Sequence, residues 1–125
     1  MDNIQRGNVY LADLGNGIGS EQKGIRPVIV VQNDIGNKYS PTVTVLPITT
    51  KIHKSNGMPT HVIIDNDGGL FEKSSVMAEQ ISTIDKSKLI EYLGTIRNKT
   101  LRRRIDKALR IQLGIDIRRI RNGGK

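Results

Sequence analysis

Arg26 is the residue of this sequence best placed to hold a phosphate group. It precedes Pro27 and the apolar run PVIVVQ of residues 27–32, which is typical of a strand buried on both faces. Because proline fixes its own φ and biases the preceding residue toward an extended backbone, we expect Arg26 at the rim of that strand. Its permanently charged, planar guanidinium matches phosphate oxygens. By spacing alone, an ion pair with Glu21 or Asp34 is the slightly more favoured role.

Two threonine hydroxyls follow a neighbouring predicted strand and could share a rim with Arg26. Thr49 and Thr50 come directly after Pro47 and Ile48. A hydroxyl beside an arginine can orient a phosphate or pass a proton. The alternative is a hydrogen bond within a turn, which threonine often makes.

Glu79 and Gln80 are the third candidate pair. They lie within residues 75–81, which are predicted to form a strand. Since side chains alternate between the two faces of a strand, we expect only one of the pair to face a given cleft.

Several familiar kinds of site are missing from the sequence. It has no cysteine, which excludes disulfides, thiolate zinc sites and a cysteine nucleophile. The glycines of residues 14–24 lack the strand-then-helix context of a nucleotide-binding loop, and no Gly-rich loop leads into Lys-Ser/Thr. His53 and His61 are not at metal-ligand spacing, and no carboxylate pattern completes a site. We therefore predict no metal, and interpret both histidines as surface or hydrogen-bonded structural residues.

The elements that must position these residues are mostly short strands separated by turn signals. Strands are predicted over residues 9–12, 27–32, 42–46, 61–65, 75–81 and 91–96. Pro47 is expected to end or kink the third strand because it has no amide proton to give the ladder. The connections are predicted to be a long mobile loop at 14–24, a turn-rich stretch at 33–41 and a polar loop at 51–59.

A terminal helix is predicted to cover the strands. Its apolar residues follow the i, i+4, i+7, i+8 spacing of a single stripe, with Asn98 or Thr100 as the cap and Gly114 as the end. A shorter helical turn, residues 86–90, is predicted after a cap at Asp85. The stripe consists of Leu101, Ile105, Ala108, Leu109 and Leu113. This pattern indicates a mainly β, α+β fold, a small barrel or sandwich with a C-terminal amphipathic helix.

The length of 125 residues indicates one domain, predicted at residues 1–115, with a basic tail at 116–125. Residues 97–125 contain eleven Lys/Arg and two Asp/Glu, whereas residues 1–96 contain nine and ten. A nearly neutral body with a basic end suits a polyanion or an acidic protein partner, and a solvated helix face is the equally favoured alternative. No apolar run approaches a signal peptide or a membrane span, so we expect a soluble, cytoplasmic protein.

In five stretches the sequence resembles the PemK/MazF toxins of toxin–antitoxin pairs. They are RGNVYLADLG at 6–15, GSEQKGIRPVIVVQND at 19–34, TVTVLPIT at 42–49, EQISTIDKSKL at 79–89 and ALRIQLG at 108–114. Each stretch alone is a weak signal. G-x-R-P-V, P-I-T and E-Q-I-x-T-I-D in this order are a specific one, and the likeness covers roughly residues 6–115.

The resemblance implies a small, twisted antiparallel β-barrel, a homodimer and a sequence-specific endoribonuclease. Such an enzyme cuts single-stranded mRNA without metal or cofactor by attack of the 2′-hydroxyl, leaving a 2′,3′-cyclic phosphate and a 5′-hydroxyl. The catalytic arginine and threonine of the family fall on Arg26 and Thr49. An antitoxin with an acidic, flexible segment would cover the RNA groove. Substrate contacts are expected from Ser20, Glu21, Gln22, Thr50 and Gln80.

Two other functions stay open at this point. A toxin of the same fold that binds gyrase would need neither Arg26-Pro27 nor Thr49, and the chain lacks the tryptophan that we associate with that class. A non-catalytic nucleic-acid-binding barrel is favoured by the basic tail and disfavoured by the neutral body. The scarcity of aromatic residues, three Tyr and one Phe, indicates that RNA would be recognised more by hydrogen bonds than by stacking.

Overall fold

The computed structural model describes residues 3–19 and 21–115, which form a mixed α+β fold. Over these residues the strands are β1 Asn8–Asp13, β2 Ile25–Val30, β3 Thr42–Thr49, β4 His61–Ile64, β5 Ser74–Met77, β6 Ser82–Asp85 and β7 Leu89–Thr95. The helices are α1 Asp34–Tyr39 and α2 Lys99–Leu113, and 3-10 turns occur at Ile52–Ser55, Ala78–Gln80 and Lys86–Lys88. Ser20 and the predicted basic tail, residues 116–125, lie outside the described residues.

The strands form one mostly antiparallel sheet. Neighbouring strands pair in the order β4-β5-β3-β2-β1-β7, and β6 is an additional strand that pairs with β3. The predicted α+β class with a C-terminal helix is confirmed. Closure into a barrel is not confirmed, because the end strands β4 and β7 do not pair with each other in the part of the chain that the structure describes.

Two apolar cores lie on opposite faces of the sheet, as the alternation of strand side chains requires. In β3, Val43 and Val45 belong to one core, whereas Leu46 and Ile48 belong to the other. The second core also contains the buried face of α2. Helix α2 therefore covers one face of the sheet. The loop between β1 and β2 borders the other face, where Leu14 packs against the core that contains Val43 and Val45.

Pro47 does not end β3, which was one of the two outcomes predicted for it. The strand runs through it to Thr49, and Pro47 is fully buried opposite Val28 of β2. Residues up to Val45 pair with β6, and pairing with β5 starts at Ile48. Proline thus lies where one ladder has ended and the next has not begun, so its missing amide proton leaves no bond unmade.

A short helix, α1, occupies the stretch predicted as turns. Its N-cap is Asn33, whose side chain accepts from the amide of Gly36 at 2.8 Å. Asn37 is buried and its side-chain amide donates to the Gln32 carbonyl and to Asp34. Polar contacts of this kind, rather than an apolar stripe, fix the helix, which is why hydrophobic periodicity does not predict it.

Helix α2 matches its prediction closely. The cap is Asn98, whose side chain accepts from the amide of Leu101 at 2.9 Å, and Gly114 ends the helix with a left-handed φ of 73°. Four residues of the predicted stripe are buried, and Leu113 is exposed. The buried residues are Leu101, Ile105, Ala108 and Leu109. No helix in the described ranges is long and apolar enough to cross a membrane.

The segment between β5 and β7 differs from its prediction at the end of β5, at the unpredicted strand β6 and in the length of the turn after Asp85. β5 ends at Met77, and a 3-10 turn, Ala78–Gln80, replaces the predicted end of that strand. The exposed strand β6 then pairs with β3. Asp85 caps the next turn as predicted by accepting from the Ser87 amide at 2.8 Å, but this turn is short because β7 begins at Leu89.

Candidate functional site

A groove of about 590 Å³ lies between the β1–β2 loop and the Ala78–Gln80 turn. The loop contributes one wall and residues 79–84 the opposite wall, while Pro47 of β3 lies between them. Three of the predicted substrate-binding residues line this groove, namely Glu21, Gln22 and Gln80.

The loop that forms the first wall is folded back on itself. Its base is closed by two backbone bonds, from Leu14 N to the Gly24 carbonyl at 2.9 Å and from Gly24 N to the Gly15 carbonyl at 2.8 Å. At its tip, the Glu21 carboxylate accepts from the amide of Ile18 at 2.8 Å. The Glu21 side chain therefore holds the loop as well as lining the groove.

Gln22 carries an unsatisfied polar atom in this wall. Its side-chain oxygen Oε1 is buried and has no hydrogen-bond partner among the described residues. Buried polar atoms are nearly always paired in folded proteins, and an unpaired one calls for a specific explanation. A rotation of the side chain would present this oxygen to an N–H donor in the groove.

Glu79 and Gln80 both line the second wall, which contradicts the expectation that only one of them would face a cleft. The prediction assumed the two-residue period of a strand, whereas these residues lie in a 3-10 turn. The Glu79 carboxylate accepts from the Thr60 hydroxyl at 2.8 Å and contacts His61 Nε2 at 2.6 Å.

Arg26 lies on β2 and is half-buried. Its Nε donates to the Lys23 carbonyl at 2.8 Å, and no carboxylate of the described residues pairs with it. Glu21 and Asp34, the predicted alternative partners, accept instead from the backbone amides of Ile18 and Arg6. The ion-pair alternative for Arg26 is therefore wrong, and its charge is available to a ligand.

Thr49 is the last residue of β3 and is 7% exposed. Its hydroxyl oxygen accepts from the amide of Lys51 at 3.1 Å, so the predicted turn hydrogen bond is present. That bond uses the oxygen as acceptor and leaves the hydroxyl proton for another partner. Thr50 follows as an exposed residue outside the strand.

The register of β2 and β3 relates Arg26 to Thr49. The paired part of the two strands ends at Val28 and Pro47, and the same register, extended by two residues along both strands, would set Arg26 opposite Thr49. Because side chains repeat their face every second residue, these two share the face on which Pro47 meets the groove. Arg26, Thr49 and Thr50 do not line the groove themselves. They lie next to it, one step along the sheet.

His61 behaves as predicted for a structural histidine. It lies at the start of β4 with its ring 6% exposed, bonded through Nδ1 to the Ser55 hydroxyl at 2.8 Å and through Nε2 to Glu79. His53 is exposed. Sequence reasoning missed the pairing of His61 with Glu79, since the two are 18 positions apart and no local pattern connects them. In the described ranges no three His, Asp or Glu side chains are grouped to hold a metal ion.

The sequence model of PemK-like, MazF-like toxins of type II toxin–antitoxin systems matches residues 5–113. Among solved structures, the chain is similar to a mycobacterial endoribonuclease in complex with its cognate antitoxin. The two are 30% identical, with 91% of this chain and 96% of that chain covered and a TM-score of 0.70. A second mycobacterial endoribonuclease is 28% identical over 91% of this chain and 94% of that chain, with a TM-score of 0.72. MazF from Deinococcus radiodurans has the same fold, with 21% identity, 89% and 96% coverage and a TM-score of 0.74.

Proposed function

Because this chain belongs to the PemK-like, MazF-like toxins of type II toxin–antitoxin systems, we propose that it is a cytoplasmic, sequence-specific endoribonuclease that cleaves single-stranded mRNA. The names of the two mycobacterial neighbours support the activity. The observation that carries the proposal is Arg26, a half-buried residue whose side chain has no carboxylate partner among the described residues. Extending the register of β2 and β3 beyond Val28 and Pro47 would bring it opposite the buried residue Thr49.

Cleavage would proceed by internal attack and would need neither a metal nor an external water. The 2′-oxygen loses its proton to a base and bonds to the adjacent phosphorus, and the bond from phosphorus to the 5′-oxygen breaks. The leaving oxygen takes up a proton, which gives a 2′,3′-cyclic phosphate and a 5′-hydroxyl. Negative charge grows on the phosphoryl oxygens, and a fixed cation beside them lowers the barrier. We assign that task to Arg26.

Thr49 would orient the phosphate or relay a proton. An aliphatic hydroxyl is far too weak an acid to be the base by itself. Its oxygen is already held by the Lys51 amide, and this fixes the direction in which the remaining O–H can donate. A phosphate held between Arg26 and Thr49 would be bound by one charged group and one neutral donor.

The groove beside this pair would read the RNA bases. Single-stranded RNA is recognised largely by hydrogen bonds to the edges of unstacked bases. The unsatisfied oxygen of Gln22 suits a base N–H donor, and Glu21 and Gln80 also line the groove. Thr50 is exposed beside Thr49, where it would contact the sugar–phosphate backbone. Ser20, outside the described residues, is assigned to RNA binding by the resemblance alone.

The protein would act as a homodimer and would be inhibited by a cognate antitoxin. A mycobacterial neighbour and a Deinococcus radiodurans MazF were each solved with such a partner. An acidic, flexible antitoxin segment would compete with RNA for the charge of Arg26. Since the same groove would serve both ligands, inhibitor and substrate are expected to exclude each other.

The decisive experiment is incubation of the purified protein with a long RNA in EDTA. We expect discrete fragments with 2′,3′-cyclic phosphate and 5′-hydroxyl ends, and no fragments from the Arg26→Ala variant. Lys23→Ala, which keeps the backbone carbonyl that Arg26 contacts, is the matched control and should cut normally. Intact RNA with the wild-type protein under all conditions would rule the proposal out.

A binding function without cleavage is the second candidate, favoured by the exposed cations Arg103, Arg104, Lys107 and Arg110 of α2. The same assay separates the two. Retention of intact RNA on a gel, with affinity falling steeply as salt is raised, would identify a binding module.

A further inference from the structure

A chain of hydrogen-bonded side chains connects three segments beside the groove. His61, at the start of β4, contacts Ser55 at 2.8 Å and Glu79 at 2.6 Å. Ser55 ends the Ile52–Ser55 turn and also donates to the Ser75 hydroxyl at 2.7 Å. Glu79 belongs to the Ala78–Gln80 turn. One imidazole ring therefore fastens the β3–β4 connection to the second wall of the groove.

The Glu79 end of this series of hydrogen bonds is held by two side-chain contacts and by one backbone bond. Its Oε1 accepts from the Thr60 hydroxyl at 2.8 Å, while Oε2 contacts His61. The backbone repeats the connection, because the amide of Ala78 donates to the Thr60 carbonyl at 2.8 Å. Both oxygens of the carboxylate are thus occupied by residues of the β4 side.

A carboxylate in this position needs such partners if the groove is to bind RNA. Glu79 lines the groove with its side chain 27% exposed, and an uncompensated negative charge there would repel phosphates. Opposite charges or donors at hydrogen-bond distance reduce the field that a carboxylate projects. A hydrogen-bonded His61 both orients the carboxylate and lowers its repulsion toward a polyanion.

Gln80 is the next residue along the same turn and lines the same groove. Ala78 and Glu79, the two residues before it in this three-residue turn, are both bonded to Thr60, so the backbone position of Gln80 follows from where these two are held. Arg26 and Thr49, by contrast, lie within strands β2 and β3. Loosening Glu79 would therefore move the wall that reads the bases more than the pair that stabilises the phosphate.

We propose that His61 is a positioning residue for RNA recognition: through Glu79 it fixes the Ala78–Gln80 turn, and with it Gln80, against the bound strand. This rests on the proposed ribonuclease function and deepens it. The chemical step itself would not require His61. Its replacement would weaken RNA binding and alter the choice among cleavage sites, while the rate on saturating RNA would change little.

The test measures kcat, KM and the ratio of cleavage at two competing sites within one RNA. That ratio is independent of the folded fraction of enzyme, so it is not affected by a partly unfolded variant. We expect His61→Ala to raise KM about tenfold, the usual scale for one charge-assisted hydrogen bond, with kcat within about twofold. The site ratio should shift several-fold. His61→Gln, which can still donate to Glu79, should recover most of the loss.

The matched control is His53→Ala, an exposed histidine in the adjacent turn, which should match the wild type in all three quantities. If His61→Ala does not fold, Glu79→Gln gives the same test, with Glu72→Gln as the control on an exposed glutamate. A wild-type KM and site ratio in the variants would overturn the inference, as would failure of His61→Gln to recover any function. If the wild-type protein cuts no RNA, the proposed function fails and the inference with it.

Discussion

Arg6 and Arg26 are both half-buried arginines, yet the structure uses them in opposite ways. Arg6 donates through Nε to the Val31 carbonyl at 2.9 Å and through its terminal nitrogen to Asp106 at 2.8 Å. Its carbonyl accepts from Arg102 as well. The Arg26 side chain makes one hydrogen bond to the described residues, to the carbonyl of Lys23. The first arginine joins distant parts of the fold, and the second makes no ion pair within the part of the chain that the structure describes.

The same contrast separates the two regions that contain these arginines. On the α2 side, the helix is capped at both ends and four of the five residues of its apolar stripe are buried. On the groove side, a buried oxygen of Gln22 has no partner among the described residues, and Arg26 lies beside the groove with one side-chain hydrogen bond to a described residue. Polar groups that stabilise a fold are saturated within it, whereas groups that serve a ligand keep unused bonding capacity.

The contrast between Arg6 and Arg26 is tested most strongly by replacing each of them with alanine. Arg26→Ala should reduce cleavage by roughly two to three orders of magnitude, the usual loss when a preorganised charge on the transition state is removed, with little change in stability. Arg6→Ala should do the reverse. It should lower the free energy of unfolding by about 1–3 kcal/mol and leave kcat nearly unchanged. Urea unfolding and single-turnover cleavage measure the two effects.

Lysine variants sharpen the same test. Arg26→Lys keeps the charge but not the planar fork, so it should recover only part of the cleavage rate. A stability loss in Arg26→Ala as large as that in Arg6→Ala would show that Arg26 is a structural residue and would end the contrast.

Thr49 combines the two roles, because its hydroxyl oxygen is bonded within the fold and its hydroxyl proton is left for another partner. Thr49→Val keeps the shape of the side chain but removes the hydroxyl. It should lower the free energy of unfolding by about 1 kcal/mol, because the Lys51 amide loses its acceptor. Cleavage should fall about tenfold or more, since the phosphate loses a positioned donor. Thr49→Ser should recover activity. Equal activity of the Val and Ser variants would leave the hydroxyl a purely structural role.

The sequence predicted structural features that depend on neighbouring residues better than features that depend on the pairing of distant segments. Helix α2 followed from its own caps and stripe, with Asn98 and Gly114 at the predicted ends. The predicted end of the strand at Pro47 was wrong, because the gap between the β5 and β6 ladders is a property of the whole sheet. Strand alternation failed at Gln80, since nothing in residues 75–81 indicates where the strand becomes a 3-10 turn.

The candidate site shows the same limit. The ion pair expected between Arg26 and Glu21 was reasonable by spacing, but the loop directs the Glu21 carboxylate to a backbone amide instead. Where Arg26 lies relative to Thr49 depends on the register of β2 and β3, which no local pattern predicts. The contact between His61 and Glu79 needs β4 and β5 to pair first. Motifs identified the residues, and tertiary structure decided what each of them contacts.

Gln22 offers a smaller and more selective effect than Arg26 or Thr49. Gln22→Ala removes the unsatisfied oxygen, so it should lose base discrimination rather than catalytic rate. One base contact changes discrimination by about tenfold or less when a single neutral hydrogen bond is lost. Sequencing of the fragment ends should show a relaxed preference at one position of the cleaved site. Stability should be unchanged or slightly higher, because a buried unpaired polar atom is gone. An unchanged preference would remove Gln22 from recognition.

Replacing Asp34 should have the smallest effect, a pH-dependent change in stability that leaves RNA cleavage unchanged. Hydrogen bonds from the Arg6 amide and from the Asn37 side chain hold the pKa of this carboxyl below its usual range. A lowered pKa means that the folded state favours the ionised form. The stabilisation is therefore complete above the usual aspartate range and is lost as the pH falls through the folded-state pKa.

Asp34→Asn should accordingly be less stable than the wild type near neutral pH, by roughly 1 kcal/mol or less because the carboxylate is exposed. The difference should shrink as the pH falls below the usual aspartate range and the wild-type carboxyl becomes protonated. Thermal unfolding of both proteins across this range measures it. RNA cleavage at neutral pH should be the same for both, because Asp34 anchors the segment of Arg6 and does not face the groove. A loss of cleavage without a loss of stability would show that the two regions are coupled, and that saturated polar groups on one side of the sheet help to set the geometry of Arg26 on the other.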